Sequence, residues 1–419
     1  MDEFTGMHAW AIASAAIVSA GCALVGALLV VRRMSLLGDA ISHAVLPGIV
    51  LAVLAGGRPG GPLVLGGAVA AALATVLLVQ ALRREGGLTE DAGTGVVFTT
   101  LFAFGVVLVT AAASRIDLDP SCILYGVLEL VPFDTVAVWG REVPRAFVTG
   151  AVVLAVVACG LAATWKEQVF TAFDFEGARA AGVPVAAVTT GLLAATALVT
   201  VASFEAAGAI LVVAMLVVPA ATAELLVRRM GMLVFVAMVL GVAAAGLGYL
   251  AAWRFDTSAA GMIAVVLGVQ YAVAAIVAPD DGLLARLASR AALAWRVGCE
   301  DALALLWRIE EAGPGAPRPA GSWLARATLP WLAVRGRVVL DAGRWRLTPR
   351  GQAEAETVVR SHRLWESWLG RHVDLPLDHL HPPAEWIEHH LGADVRRRIE
   401  AEVGPRESDP HGRSIPPEP

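Results

Sequence analysis

Lysine is almost missing from this chain: a single one, Lys166, stands among 32 basic residues in a length of 419. Charge is sparse altogether, at 16% of residues against 57% hydrophobic, which excludes a soluble globular enzyme and assigns most of the chain to lipid. No G-x-x-x-x-G-K-[ST] stretch occurs and Lys166 lies in no glycine loop, so the chain alone has no usual P-loop for a nucleotide. The four cysteines, Cys22, Cys122, Cys159 and Cys299, are scattered, which excludes a cysteine-spaced metal site and a disulfide framework. A removable secretory leader is not expected either, because the first apolar stretch is too long and lacks a basic leader and a small-residue cleavage site.

What is present is one apolar stretch after another, from about Ala9 to Ala278, with a mean hydropathy of +0.68 over the whole chain. The pattern predicts about nine spans, at 9–31, 35–56, 61–82, 92–113, 146–164, 184–202, 205–224, 231–252 and 258–278. Each is near the length that crosses a hydrocarbon core and is bounded by charge, proline or glycine. Between the fourth and fifth, Ile123 to Trp139 is apolar enough to be re-entrant or interfacial. Basic residues in short loops orient the set. Arg32, Arg33, Arg83, Arg84, Lys166, Arg179, Arg228 and Arg229 fall on one side; Arg58, Arg115, Arg141, Arg145 and Arg254 fall on the other. The richer side is the cytoplasm, which puts the N-terminus outside and the tail inside. That tail is different in kind, since seven of the nine histidines and 19 of the 32 basic residues lie in the last third.

In GDAISHAVLPG, Gly38 to Gly48, Asp39 and His43 stand four residues apart on one helical face within an apolar run. A carboxylate in lipid must face a bundle interior or a wet cavity. The pair offers an oxygen and a nitrogen donor suited to a divalent transition metal, or else forms a hydrogen-bonded couple at a helix end with no ion. Glu205, beside Gly208, is a pathway candidate or a carboxylate favoured by a helix N-terminus. FTAFDFEGARAAGVP, Phe170 to Pro184, reads as a short amphipathic cytoplasmic helix.

MSLLGDAISHAVLPGIVLA, AFDFEGARAAGV and SFEAAGAILVVAMLVVPAATAELL, in that order, resemble the ABC-3 group, the transmembrane permeases of bacterial ABC importers for manganese, zinc or iron. The resemblance implies that Asp39 and His43 are transit ligands. It also implies that Phe173 to Gly182, including Glu176, is a coupling element received by a separate ABC ATPase subunit. It further implies an extracytoplasmic metal-binding protein and a second permease, identical or homologous.

In the tail, a helix is expected from Ser322, then a short hairpin around Asp341-Ala342-Gly343, then a helix with Val358, Leu364, Trp365 and Trp368 on an apolar stripe. His362 and Glu366 are four apart on that helix, and Glu385 lies three and four residues before Glu388 and His389 on another. Taken bare, these are surface pairs or metal ligands. EDALALLWRIEEAG, RWRLTPRGQAEAETVVRSHRLWESWL, DHLHPPAEWIEHHLGADVRRRIE and DPHGRSIP resemble the metal-dependent repressor family of the diphtheria-toxin and manganese-transport regulators. That resemblance implies one metal site at His362, Glu366 and His381 and a second at Glu385, Glu388 and His389 with Asp301. Glu385 in place of a cysteine favours manganese, and Ala304 stands where the manganese type has another acidic ligand. The segment from Ser322 to Val334 lacks the polar run that would contact DNA, and the tail's 19 acidic residues cancel its bases, so DNA binding is not expected.

The expected fold is thus an all-α polytopic membrane protein carrying a cytoplasmic, mostly helical, winged-helix-like domain. The expected parts are a permease at 1–280, a connecting helix at 281–298, a degenerate winged-helix-like region at 299–354 and a metal-binding or dimerisation region at 355–419. The expected function is the membrane subunit of an ATP-driven divalent metal importer with a metal-sensing tail, and not an enzyme. Its rivals are an ion-coupled secondary transporter and a membrane-anchored metal-responsive regulator.

Overall fold

The computed structural model describes residues 2–57, 61–87, 90–112, 128–313, 322–373, 376, 387, 389, 392–404 and 408–417. Two compact units make up the chain, Met1–Ala285 and Arg286–Pro419.

The first unit is a helical bundle. Among the described residues eight helical segments are long and apolar enough to cross a membrane. They belong to α1 (Asp2–Val31), α4 (Pro62–Gly86), α5 (Glu90–Ala112), α6 (Arg145–Ala163), α9 (Val185–Leu226, which supplies two), α10 (Met230–Phe255) and α11 (Ala259–Val277). The second expected span, 35–56, is not a single helix. It divides into α2 (Ser35–Ala44) and α3 (Leu46–Leu54) at Val45. Pro47 explains the break, because it has no N–H for the His43 carbonyl and its ring would strike that oxygen. The segment before α6 also departs from an all-helical reading. Leu128–Phe133 is a 3-10 turn, and Thr135–Val138 pairs antiparallel with Arg141–Pro144 as a hairpin. Trp139 at its tip is fully exposed, as an aromatic at a membrane interface would be.

The seventh expected span follows the sixth with no loop. Gly208, at φ 71° and ψ 162°, interrupts α9 beside Glu205, in a backbone region that only glycine adopts without strain. α1 packs along α9 closely enough that a Cβ on Gly26 would lie 1.8 Å from the Leu216 carbonyl oxygen. Small residues permit this approach where no hydrophobic force separates helix from lipid. Replacing Gly208 with alanine therefore costs about 1–3 kcal/mol of strain. Gly26→Val forces the two helices apart, and both variants are expected to unfold at lower temperature than wild type in detergent, followed by intrinsic fluorescence.

Expected cytoplasmic basic residues gather at one end of this bundle. Arg32 follows α1 and donates to the Gln168 carbonyl at 3.0 Å, to Gln168 Oε1 at 2.6 Å and to Thr171 Oγ1 at 2.7 Å. Arg228, between α9 and α10, pairs with Asp280 and Asp281 just past α11.

The second unit contains the rest of α12 (Leu283–Ala312), then α13 (Trp323–Val334), a hairpin, α14 (Pro349–His372) and α15 (Ala393–Val403). The expected turn is there: Asp341 pairs with Arg344, and Ala342 and Gly343 both have positive φ, the conformation a two-residue hairpin needs. Ser322 caps α13 by accepting from Ala325 N at 3.1 Å, and Thr348 caps α14 by accepting from Gly351 N at 3.2 Å. Cys299, Leu303, Leu332 and Val338 form one small core; Leu364, Ile399, Val403 and Ile415 form another. The C-terminal strand of chain is strapped to α14 by arginines. Arg360 donates to the Pro416 carbonyl and Arg363 to the Ser414 carbonyl, while Arg363 also makes a two-pronged pair with Glu311 and lies over Trp307.

Candidate functional site

In the bundle, Asp39 and His43 lie one turn apart on α2, which packs against α5 and α9. His43 is half-buried, with its ring 5.6 Å from Phe98 and 5.7 Å from Phe102, centroid to centroid. Two α5 aromatics therefore fix the imidazole edge. Glu205 is on α9 three residues before the Gly208 break. Interrupted helices leave backbone groups without intrahelical partners, and they are tolerated at membrane depth where protein or a cavity takes them up.

The second feature is the loop element that Arg32 grips. α7 (Trp165–Phe173) and α8 (Phe175–Ala180) are joined at Asp174, whose Oδ1 accepts from Gly177 N at 2.8 Å and so caps α8. Phe173 and Phe175 are exposed at 66% and 53%, and Glu176 is exposed beside them. Gly182 turns the chain into α9 at φ 82°. Arg32 was not among the expected functional residues, because its partners are 136 and 139 residues away. Burial lowers the pKa of its guanidinium. At the opposite end of the bundle a half-open cavity of about 280 Å³ is lined by His8, Glu129, Tyr249, Trp253 and Asp256 among others. His8 Nδ1 is 2.9 Å from the Tyr249 hydroxyl, and Glu129 accepts from the Ala259 N–H at the start of α11.

In the second unit His362 and Glu366 face each other on α14, Nε2 to Oε1 at 3.2 Å, with both side chains almost wholly buried. His411 reaches the same carboxylate oxygen at 3.9 Å. A buried carboxylate needs a cation or imidazoles around it, and this one has two imidazoles. The other cluster joins α12 to His389. Glu300 Oε2 lies 2.6 Å from His389 Nδ1 and Asp301 Oδ1 lies 3.1 Å from Nε2, so the two carboxylates hold opposite edges of one ring. Asp301 and His389 are thus brought together, and Glu300 and His411 are additions to the residues named from the sequence. Adjacency to Asp301 was the only sequence signal for Glu300. His381, Glu385 and Glu388 lie outside the described residues. Among the described residues no group of three or more His, Cys, Asp or Glu side chains is placed to hold one metal ion. Nitrogen and oxygen donors of this kind nonetheless match manganese or ferrous iron in type.

Residues 4–278 match the ABC 3 transport family, which is most of the chain. The chain belongs to the ABC 3 transport family. Residues 348–417 match a second family, the iron dependent repressor, metal binding and dimerisation domain. The ABC 3 region is similar to the manganese transport system membrane protein MntD of Bacillus subtilis (strain 168), at 40% identity over 280 residues, 67% of this chain and 95% of that one. It is also similar to the zinc transport system membrane protein TroD of Treponema pallidum (strain Nichols), at 34% identity over 272 residues, 65% of this chain and 74% of that one. Among solved structures it resembles PsaBC from Streptococcus pneumoniae, in complex with Fab, with a TM-score of 0.55 at 28% identity over 65% of this chain and 92% of that one. The ABC 3 assignment, with eight membrane-length helices, makes this a multi-pass membrane protein.

Proposed function

We propose that this ABC 3 protein is the membrane subunit of an ATP-driven importer of a divalent metal, manganese first and zinc or iron next. The observation that carries the reading is the 40% identity to a manganese transport membrane protein along nearly its full length. In this reading Asp39 and His43 handle the cargo in transit, Glu205 contributes beside the α9 break, and the α7–α8 element meets a separate ATPase through Phe173, Glu176 and Gly182. The Arg32 hydrogen bonds tie that element to α1, so movement of the loop reaches the bundle. A second permease copy or a homologue completes the path, and an extracytoplasmic binding protein delivers metal at the other end. The tail lies in the cytoplasm and senses the same metal. Proteoliposomes holding the chain with its ATPase are expected to take up manganese only with ATP; uptake driven by an ion gradient without ATP would replace this reading with a secondary transporter.

The tail reading rests on the repressor-domain match and on the geometry at His389. A metal-ligating histidine usually donates its other ring N–H to a carboxylate, which fixes the tautomer. Glu300 is placed to do this at Nδ1, leaving Nε2 and Asp301 on the metal side, with His362, Glu366 and His381 as the other site. Manganese is expected to raise the unfolding temperature of the tail in the intact chain by mass action. Glu388→Ala or His389→Ala removes most of that shift, and Glu300→Gln weakens binding about 10–100-fold. Equal manganese titrations for wild type and Glu300→Gln would take Glu300 out of the site.

A further inference from the structure

The cavity at the outer end of the bundle is used by neither the transit residues nor the coupling loop. Its lining comes from three distant parts of the chain: His8 near the start of α1, Glu129 and Phe133 on the 3-10 turn, and Tyr249, Trp253 and Asp256 at the corner between α10 and α11. α1 carries His8 at one end and leads into Arg32 at the other, roughly 36 Å away. The cavity therefore opens on the side that the basic-residue bias puts outside. Hydrogen bonds fix its polar groups. His8 Nδ1 and the Tyr249 hydroxyl are 2.9 Å apart, and Glu129 Oε1 accepts from the Ala259 N–H at 2.8 Å. The His8 ring also lies 5.7 Å from that of Tyr249 and 5.9 Å from that of Trp253, centroid to centroid, so the three form one wall. Phe133 and Trp253 remain 68% and 59% exposed.

Aromatic rings and two carboxylates thus share a half-open space of about 280 Å³, and no lysine or arginine is among the described residues that line it. That chemistry selects the guest. An anion would meet two carboxylates, and a wholly apolar group would strip water from them with nothing in return. A bare divalent ion is not served, because among the described residues no three His, Cys, Asp or Glu side chains are placed to hold one. A guanidinium meets every condition: it is planar and weakly hydrated, its face stacks on aromatic rings, and its N–H edge reaches carboxylates. The volume is at the small end for ligand pockets and the mouth is open, which suits one side chain whose backbone stays outside. We infer that this cavity seats an arginine side chain of the extracytoplasmic metal-binding protein and so holds that protein on the outer face, a role that rests on the importer reading above. Glu129 and Asp256 take the edge of the guanidinium, and Tyr249 and Trp253 take its face.

The test uses the full chain in lipid nanodiscs, with fluorotryptophan in place of tryptophan and the Trp253 fluorine resonance assigned from Trp253→Phe. The probe is N-acetylarginine methylamide, and its neutral counterpart is the citrulline derivative. The arginine probe is expected to shift the Trp253 resonance saturably, and the citrulline probe is not. Glu129→Gln with Asp256→Asn should weaken that binding at least about fourfold, from a factor of about two or more per exposed ion pair. Glutamine at 129 keeps an acceptor for the Ala259 N–H, so the start of α11 stays held. The metal-binding protein should lose affinity for the same double variant by a like factor, and the arginine probe should displace it from wild type. Equal shifts from both probes, or arginine binding that the double variant leaves unchanged, would overturn the inference. So would displacement of the arginine probe by zinc, which marks a metal site. Arginine binding with no change in the affinity of the metal-binding protein would overturn the docking role. The probe measurement needs neither ATP nor transport, so its failure is separate from a failure of ATP-driven uptake, which would end the importer reading.

Discussion

Asp39→Ala abolishes metal uptake, by at least about 100-fold, while the protein stays in the membrane at near wild-type abundance. Outer partners of a metal ligand already account for about 10–100-fold, so loss of a direct transit ligand reaches at least the upper end. Stability should hold, because a charged carboxylate in a bundle is a cost that the fold does not need. His43→Ala is expected to lose uptake to a similar degree but to be less stable, since the ring also packs against Phe98 and Phe102. His43→Phe separates the two contributions, restoring the packing without the nitrogen. Manganese uptake into proteoliposomes and thermal unfolding of the same preparations check both statements; wild-type uptake by Asp39→Ala would end the transit role.

The second large effect is expected at the α7–α8 element. Glu176→Arg reverses the charge on an exposed first turn, and Gly182→Val forces a β-branched residue into φ 82°. Each should cut metal delivered per ATP hydrolysed by about tenfold, the scale of about 1.4 kcal/mol lost at one contact. ATP hydrolysis by the partner continues or loses its dependence on the permease. Arg32→Ala should act in the same direction from inside the bundle, because it releases Gln168 and Thr171 without touching the exposed surface. Measuring hydrolysis and uptake together on one reconstituted sample decides the matter. An equal fall in both rates would show lost assembly and not lost coupling.

The fold was legible where local chemistry decides it. Apolar length marked the long helices, and Ala342-Gly343 between alternating residues marked the tail hairpin, because positive φ is a local demand. One boundary was not legible. Residues 35–56 have the composition of one span, but Pro47 divides them, and apolar content does not register a lost hydrogen bond. The division between the sixth and seventh spans was legible to within a few residues, since the expected boundary at 202–205 lies beside the break at Gly208, although no loop marks it. Site residues divide in the same way. Asp39 with His43 and His362 with Glu366 are helical neighbours that spacing alone pairs. Arg32 with Gln168, Glu300 with His389 and His411 with Glu366 come together only through tertiary structure, across separations that no periodicity encodes.

The absence of room for a single methyl group at Gly26 divides the bundle mechanically. With the Gly26 position directly against the Leu216 carbonyl, α1 and the second half of α9 have no slack through which to slide. Packed interfaces of this kind move as blocks, and displacement is taken up at the few points where backbone torsions are free to change. The chain supplies such points on either side of the block, at Val45 between α2 and α3 and at Gly208 within α9. Any opening of the bundle is therefore expected to keep α1 and the second half of α9 together and to bend the chain at residues 45 and 208. Cross-linking α1 to residue 216 is expected to leave metal uptake intact, whereas stiffening residue 45 or 208 is expected to reduce it.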